Sequence, residues 1–115
     1  MIITITSIRL KSIWKFFKLS LFALQNTKQL HKSKGMLKFK KTGLGRLHYT
    51  LTVWETEDDL KTFAYGNGSH KQFMSRSKEI ASEIGTYTFE SNEIPDWKTA
   101  KKLLSEKGRF LNFDH

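Results

Sequence analysis

The chain of 115 residues has no cysteine and one proline. The absence of thiols excludes disulfides, thiolate nucleophiles and cysteine-based zinc sites. It fits a reducing compartment, so a cytoplasmic location is expected. Long apolar runs are also missing. The most apolar stretch, IWKFFKLSLFAL, is broken by lysines and is shorter than the ~20 residues a spanning helix needs, so no transmembrane segment is expected. The opening MIITITSIRLK has neither a basic leader nor a small-residue cleavage site, and reads as a strand rather than a signal peptide. No Walker loop, serine elbow or His-x-Glu pair appears.

Acidic residues are absent from the whole first half. Residues 1 to 54 hold 11 Lys or Arg and no Asp or Glu, whereas residues 55 to 115 hold 9 basic and 11 acidic residues, for a net charge of +9. A basic half invites a polyanion reading. The plainer reading is a lysine-rich solvated surface with weak, salt-sensitive affinity for nucleic acid.

Hydrophobic period then gives the elements. Residues 2 to 8 alternate as a strand, with Ile3 and Ile5 on one side and Thr4 and Thr6 on the other. Residues 12 to 31 carry Ile13, Phe17, Leu21 and Leu24 at helical spacing, with Gly35 as a stop. Strands are expected at 36–41 and 46–54 as a hairpin around the turn KTGLGR. Helical character returns at 57–65 and 70–82, a strand follows at 84–91, and Pro95-Asp96 introduces a helix at 97–107 that stops at Gly108.

The order β-α-β-β-α-β, then α, is ferredoxin-like and of the α+β class, in one domain spanning 1–115. Leu37, Phe39, Leu47, Tyr49, Leu51, Val53, Tyr87 and Phe89 are expected on one apolar face beneath the helices. Thr4, Thr6, His48, Thr50, Thr52, Trp54, Thr86 and Thr88 fall on the other. Threonine suits half-buried strands, and this topology is expected to leave one face uncovered. A homodimer through the threonine face is therefore expected, with an open solvated face as the alternative.

The stretch MLKFKKTGLGRLHYTLTVWETEDDLKTFAYGNGSHKQFM resembles the small monooxygenase-like proteins of the dimeric α+β barrel superfamily, which include antibiotic-biosynthesis monooxygenases and relatives of spheroidene monooxygenase. The residues that carry the resemblance are Gly43 and Gly45, Trp54-Glu55, Asp58-Asp59-Leu60, Phe63 and Ser69-His70. It extends over about residues 36 to 75 by pattern and over the rest by element order. The resemblance implies a homodimer whose two sheets form a barrel, with a cavity between helices and sheet in each subunit. Some members oxidise aromatic polyketides without metal or flavin. Others bind or degrade haem through a helix histidine that aligns nearer Met74 or Arg76, so a haem-ligand role does not pass to His70 by position.

His70 has two readings from its own surroundings. Ser69-His70-Lys71-Gln72 is a capping box, so the histidine can simply cap a bend. At a helix start the positive dipole end disfavours imidazolium, and a neutral imidazole can accept a proton or bind a ligand. The functional expectation is an oxygenase-like protein acting on or binding a hydrophobic small molecule, with His70 as catalytic candidate and Trp54, Phe63 and Phe73 as substrate contacts; the alternative is a non-catalytic ligand-binding dimer. No metal site is expected, and haem is possible but not required. The competing RNA-binding reading is disfavoured, because strand 46–54 lacks the Gly-Phe-x-Phe run and strand 2–8 has no aromatic residue.

Overall fold

The structure, a computed structural model, describes residues 1–16, 33–66 and 80–112, without the side chains of residues 64–66. Five strands form one antiparallel sheet in the order β2-β3-β1-β4-β5. They are β1 (Ile2–Leu10), β2 (Met36–Leu44), β3 (Leu47–Trp54), β4 (Ala81–Glu90) and β5 (Arg109–Asn112). The helices are α1 (Glu57–Gly66) and α2 (Trp97–Lys107), and a short 3-10 turn spans Ile13–Lys15. This is the expected ferredoxin-like α+β arrangement with one strand more.

Local chemistry explains the borders. Leu44 pairs with Leu47, so the hairpin loop is Gly45-Arg46 alone. Gly45 has φ 64°, as the first position of a tight type II′ hairpin turn requires. The turn is thus shorter than KTGLGR, and Gly43 belongs to β2 opposite His48. Thr56 starts α1 by accepting the Asp59 amide at 3.1 Å, with Glu57, Asp58 and Asp59 in the favourable first turn. Asp96 caps α2 by accepting the Thr99 amide at 2.7 Å, and Gly108 ends it.

One side of the sheet is a dry core. Ile3, Ile5, Leu51 and Val53 are fully buried beneath Ala100 and Leu104 of α2. Each such side chain contributes ~1.5–3 kcal/mol relative to exposure. Tyr49, Tyr87, Phe89 and Trp97 frame this core. Lys101 Nζ stands 4.9 Å from the Tyr49 ring centroid and Lys40 Nζ 5.6 Å from that of Trp97, so two cation–π contacts close its rim.

Several expectations need correction. Phe39 does not share the face of Leu51 and Val53. The register shift between Met36 and Lys38 inserts one residue, so Phe39 pairs with Thr52 on the opposite face, and Leu37 is exposed. Ile13, expected in the core, is 56 % exposed. β4 begins at Ala81 rather than 84, because Leu10 pairs with Ala81 past an irregularity at Arg9/Leu10. β5 was not expected: its four residues are all exposed and carry no alternating pattern.

On the threonine face α1 covers only the Trp54 end, and Thr86 and Thr88 stay exposed. Trp54 points to that face, and α1 buries it completely. Of the helix expected at 70–82, Ala81 and Ser82 are strand and Ile80 is helical; residues 17–31 and 70–79 of the two expected helices lie outside the described residues.

Candidate functional site on the threonine face

Strand register arranges the α1 side of the sheet in rows. The first is Met36, Trp54, Ile2 and Glu90, and the second is Phe39, Thr52, Thr4 and Thr88. The third is Lys41, Thr50, Thr6, Thr86 and Arg109, and the fourth is Gly43, His48, Ile8, Ile84 and Leu111.

The two end rows are apolar anchors. At one end the Trp54 and Phe63 rings lie 5.3 Å apart at 34°, with Ile2, Met36, Phe39 and Leu60 packed around them. Trp54 Nε1 donates to Thr52 Oγ1 at 3.0 Å, so the buried indole is satisfied. At the other end Ile8, Leu10, Ala81 and Ile84 bury Ile80. α1 and Ile80 thus dock at opposite ends of one sheet face.

Between the anchors lies a belt of hydroxyls. Thr86 and Thr88 are exposed, and Thr4, Thr6, Thr50 and Thr52 are half-buried. Solvent thus reaches the floor of the face while its ends are dry. The belt is not uniform. In the second row Thr4 and Thr88 share a hydrogen bond of 2.9 Å, and Thr52 holds the indole. In the third row Thr6, Thr50 and Thr86 make no side-chain hydrogen bond among the described residues.

His48 closes the belt toward the hairpin. Its Nε2 lies 3.0 Å from the Gly45 carbonyl, which can only accept, so Nε2 carries the proton. Its Nδ1 side rests on Gly43, where a Cβ would overlap the ring. Phe16 stacks on the other side of the ring at 5.2 Å. With both nitrogens turned to the backbone, His48 does not fit an iron ligand. His70 lies outside the described residues, so no described group supplies the haem ligand that the resemblance raised, and no step is assigned to haem. Among the described residues no cluster of three His, Cys, Asp or Glu is placed to hold a metal.

Of the expected site residues, Trp54 and Phe63 are brought into contact, with Trp54 serving as a buried wall. Phe73 and His70 lie outside the described residues. A shallow hollow of about 490 Å³ on the α2 side is lined by Phe89, Ile94, Asp96, Thr99 and Leu103 among others. It is on the wrong side of the sheet for Trp54 and Phe63, and the Asp96 carboxylate there is occupied in capping α2. Lys41 and Arg109 were not anticipated at the belt. A two-residue turn at Gly45-Arg46 would have revealed Lys41 opposite Thr50, whereas Arg109 depends on β5 and has no sequence signal.

Known structures share this fold. SnoaB, a cofactor-independent oxygenase from Streptomyces nogalater, superimposes with a TM-score of 0.69 at 5 % identity, over 81 % of this chain and 94 % of its own. Proteins assigned as antibiotic biosynthesis monooxygenases superimpose likewise. The one from Nitrosomonas europaea has a TM-score of 0.71 at 12 % identity, over 81 % of this chain and 100 % of its own. The one from Deinococcus radiodurans has 0.72 at 12 %, over 84 % and 97 %. At such identities the likeness defines the fold: that of the monooxygenase-like α+β proteins. No curated protein is significantly similar in sequence. The chain belongs to the family of the domain of unknown function DUF3291, whose model matches residues 22–108.

Proposed function

We propose that the chain binds a hydrophobic small molecule over the threonine belt, and oxidises it in the manner of the monooxygenases that share its fold. The observation that carries this is the belt itself: a solvent-accessible polar floor between two dry anchors on one face. Ligand sites are commonly concave and apolar with a few convergent polar groups. We assign His70 and Phe73, which lie between α1 and Ile80 in the sequence, to the same site. Trp54 and Phe63 form the apolar end wall, and His70 acts as a base toward an acidic proton of the ligand. Residues 1–115 act as one domain, since the two faces draw on strands from both ends of the chain.

The same proposal gives the belt to a ligand, so the homodimer implied by the resemblance uses other surfaces. Exposed Leu37, Leu44 and Phe110 on the outer strands are available for it. A specific nucleic-acid role is disfavoured by the central strands β1 and β3. Their aromatic residues are Trp54, fully buried, and Tyr49, held beneath Lys101. Among the described residues no helix is long and apolar enough to cross a membrane.

The test is oxygen uptake by the purified protein with a panel of hydroxylated polycyclic aromatics, with incorporation of labelled oxygen followed by mass spectrometry. Turnover is expected, and His70→Ala should abolish it with little change in melting temperature. Ser69→Ala should instead cost about 1 kcal/mol of stability and leave turnover in place. A His70→Ala protein that is less stable but still active makes the histidine structural. Binding of the panel with no oxygen consumption would leave a non-catalytic ligand-binding protein.

A further inference from the structure

We infer that the third row of the threonine face is an oxyanion subsite, and that the ligand of this protein carries a carboxylate or similar anionic group seated on Thr50, Thr6 and Thr86 between Lys41 and Arg109. The inference rests on the proposed ligand site over the same belt and adds the chemical class of the ligand.

Three observations converge. The row contains donors and no carboxylate: register sets Lys41 beside Thr50, Thr50 beside Thr6, Thr6 beside Thr86 and Thr86 beside Arg109, all on one face. Glu90, on the same face, stands two rows away beside Ile2. Among the described residues the hydroxyls of this row make no side-chain hydrogen bond, whereas those of the neighbouring row are used, in the Thr4–Thr88 bond and the Trp54–Thr52 bond. Among the described residues Lys41 and Arg109 form no ion pair, the salt bridge there being Lys61–Glu57.

The geometry suits an anion. Adjacent strands lie ~4.8 Å apart, so neighbouring hydroxyls can converge on one oxyanion placed between them. Hydroxyls and cations together satisfy it better than either alone, because hydrogen bonds to a charged acceptor are about twice as strong as neutral ones. The row lies between apolar anchors, so the ligand's hydrocarbon part extends toward Trp54 and Phe63 or toward Ile8 and Ile84. A solvent-exposed lysine and arginine at the outer strands leave the entrance positive, which attracts an anionic ligand and makes its capture salt-sensitive.

Two fluorescent dyes test this on the intact chain: 1-anilinonaphthalene-8-sulfonate, which is anionic, and N-phenyl-1-naphthylamine, its neutral analogue. The anionic dye is expected to bind about tenfold more tightly, with an affinity that falls with added salt. Thr6→Val keeps the side-chain shape and strand preference, and should weaken the anionic dye about fivefold without affecting the neutral one. Arg109→Gln, at an exposed edge position that cannot endanger the core, should flatten the salt dependence. Equal binding of the two dyes, unchanged by Thr6→Val and Arg109→Gln, overturns the oxyanion subsite and leaves the ligand site standing. Binding of neither dye overturns the ligand site and the subsite with it.

Discussion

The two faces of the sheet use the same three central strands for opposite purposes. Under α2, Ile3, Ile5, Leu51 and Val53 meet Ala100 and Leu104, and these six side chains are closed to solvent. Under α1, the alternate residues of those strands are threonines, partly wetted, with apolar contacts only at the two ends. A domain of this size has a limited core, and placing six threonines on the face away from α2 leaves burial unused. Stability is concentrated on the α2 face, and polar groups are kept accessible on the α1 face. That separation is what a ligand site on a small fold requires, because the floor of the site can vary without dissolving the core.

The sharpest way to break the comparison is to empty the α2 face. Leu51→Ala removes a fully buried side chain from the centre of β3 and should cost about 3 kcal/mol in denaturant unfolding. Its neighbour Thr50→Val, on the other face, should change stability by no more than about 0.5 kcal/mol. Equal losses from the two would mean that the belt is core after all. The anchor at the belt's end lies between these cases. Trp54→Phe keeps an aromatic against Phe63 but loses ring volume and the bond to Thr52, and about 1–2 kcal/mol is expected. Near-ultraviolet circular dichroism should show the loss of the rigid indole environment.

The smallest effect is at the rim of the α2 face. The Thr99 backbone amide, and then the Thr99 hydroxyl, bond the Asp96 carboxylate and hold its pKa below the ordinary carboxylate value. The folded pKa is therefore lower than the unfolded one. The contribution of Asp96 is present above the ordinary carboxylate pKa and lost as pH falls through the lowered one. Asp96→Ala should be slightly less stable than the parent near neutral pH, and the difference should close in acid. A difference that persists unchanged through acid pH would show that the cap does not depend on the carboxylate charge.

Local signals were sufficient for much of this. Alternation in ITITSI and LTVW placed the threonines on a shared face, while the pairs Thr4–Thr52 and Thr6–Thr50 came from the structure. The start of α1 was legible because Thr56 and three acidic residues satisfy and favour a helix N-terminus by themselves. The same held for Asp96 and Gly108 around α2. Of the site, Trp54 and Phe63 could be nominated as aromatics at a strand end and on a helix. Their contact, and the role of Trp54 as a sealed wall instead of a platform, could not.

The amino-acid sequence by itself determined the order of β1 to β4 with α1 and α2, the caps of those two helices, the ferredoxin-like class and the existence of a threonine face, since each depends on neighbours within a few residues. Tertiary structure alone decided which helix covers which face, the displacement of Phe39, and the pairing that brings Lys41 and Arg109 to the ends of the Thr50, Thr6 and Thr86 row. The physical reason is register. One inserted residue in β2 reverses every later side chain of that strand, and a four-residue edge strand with no pattern of its own is defined only by the strand it pairs with.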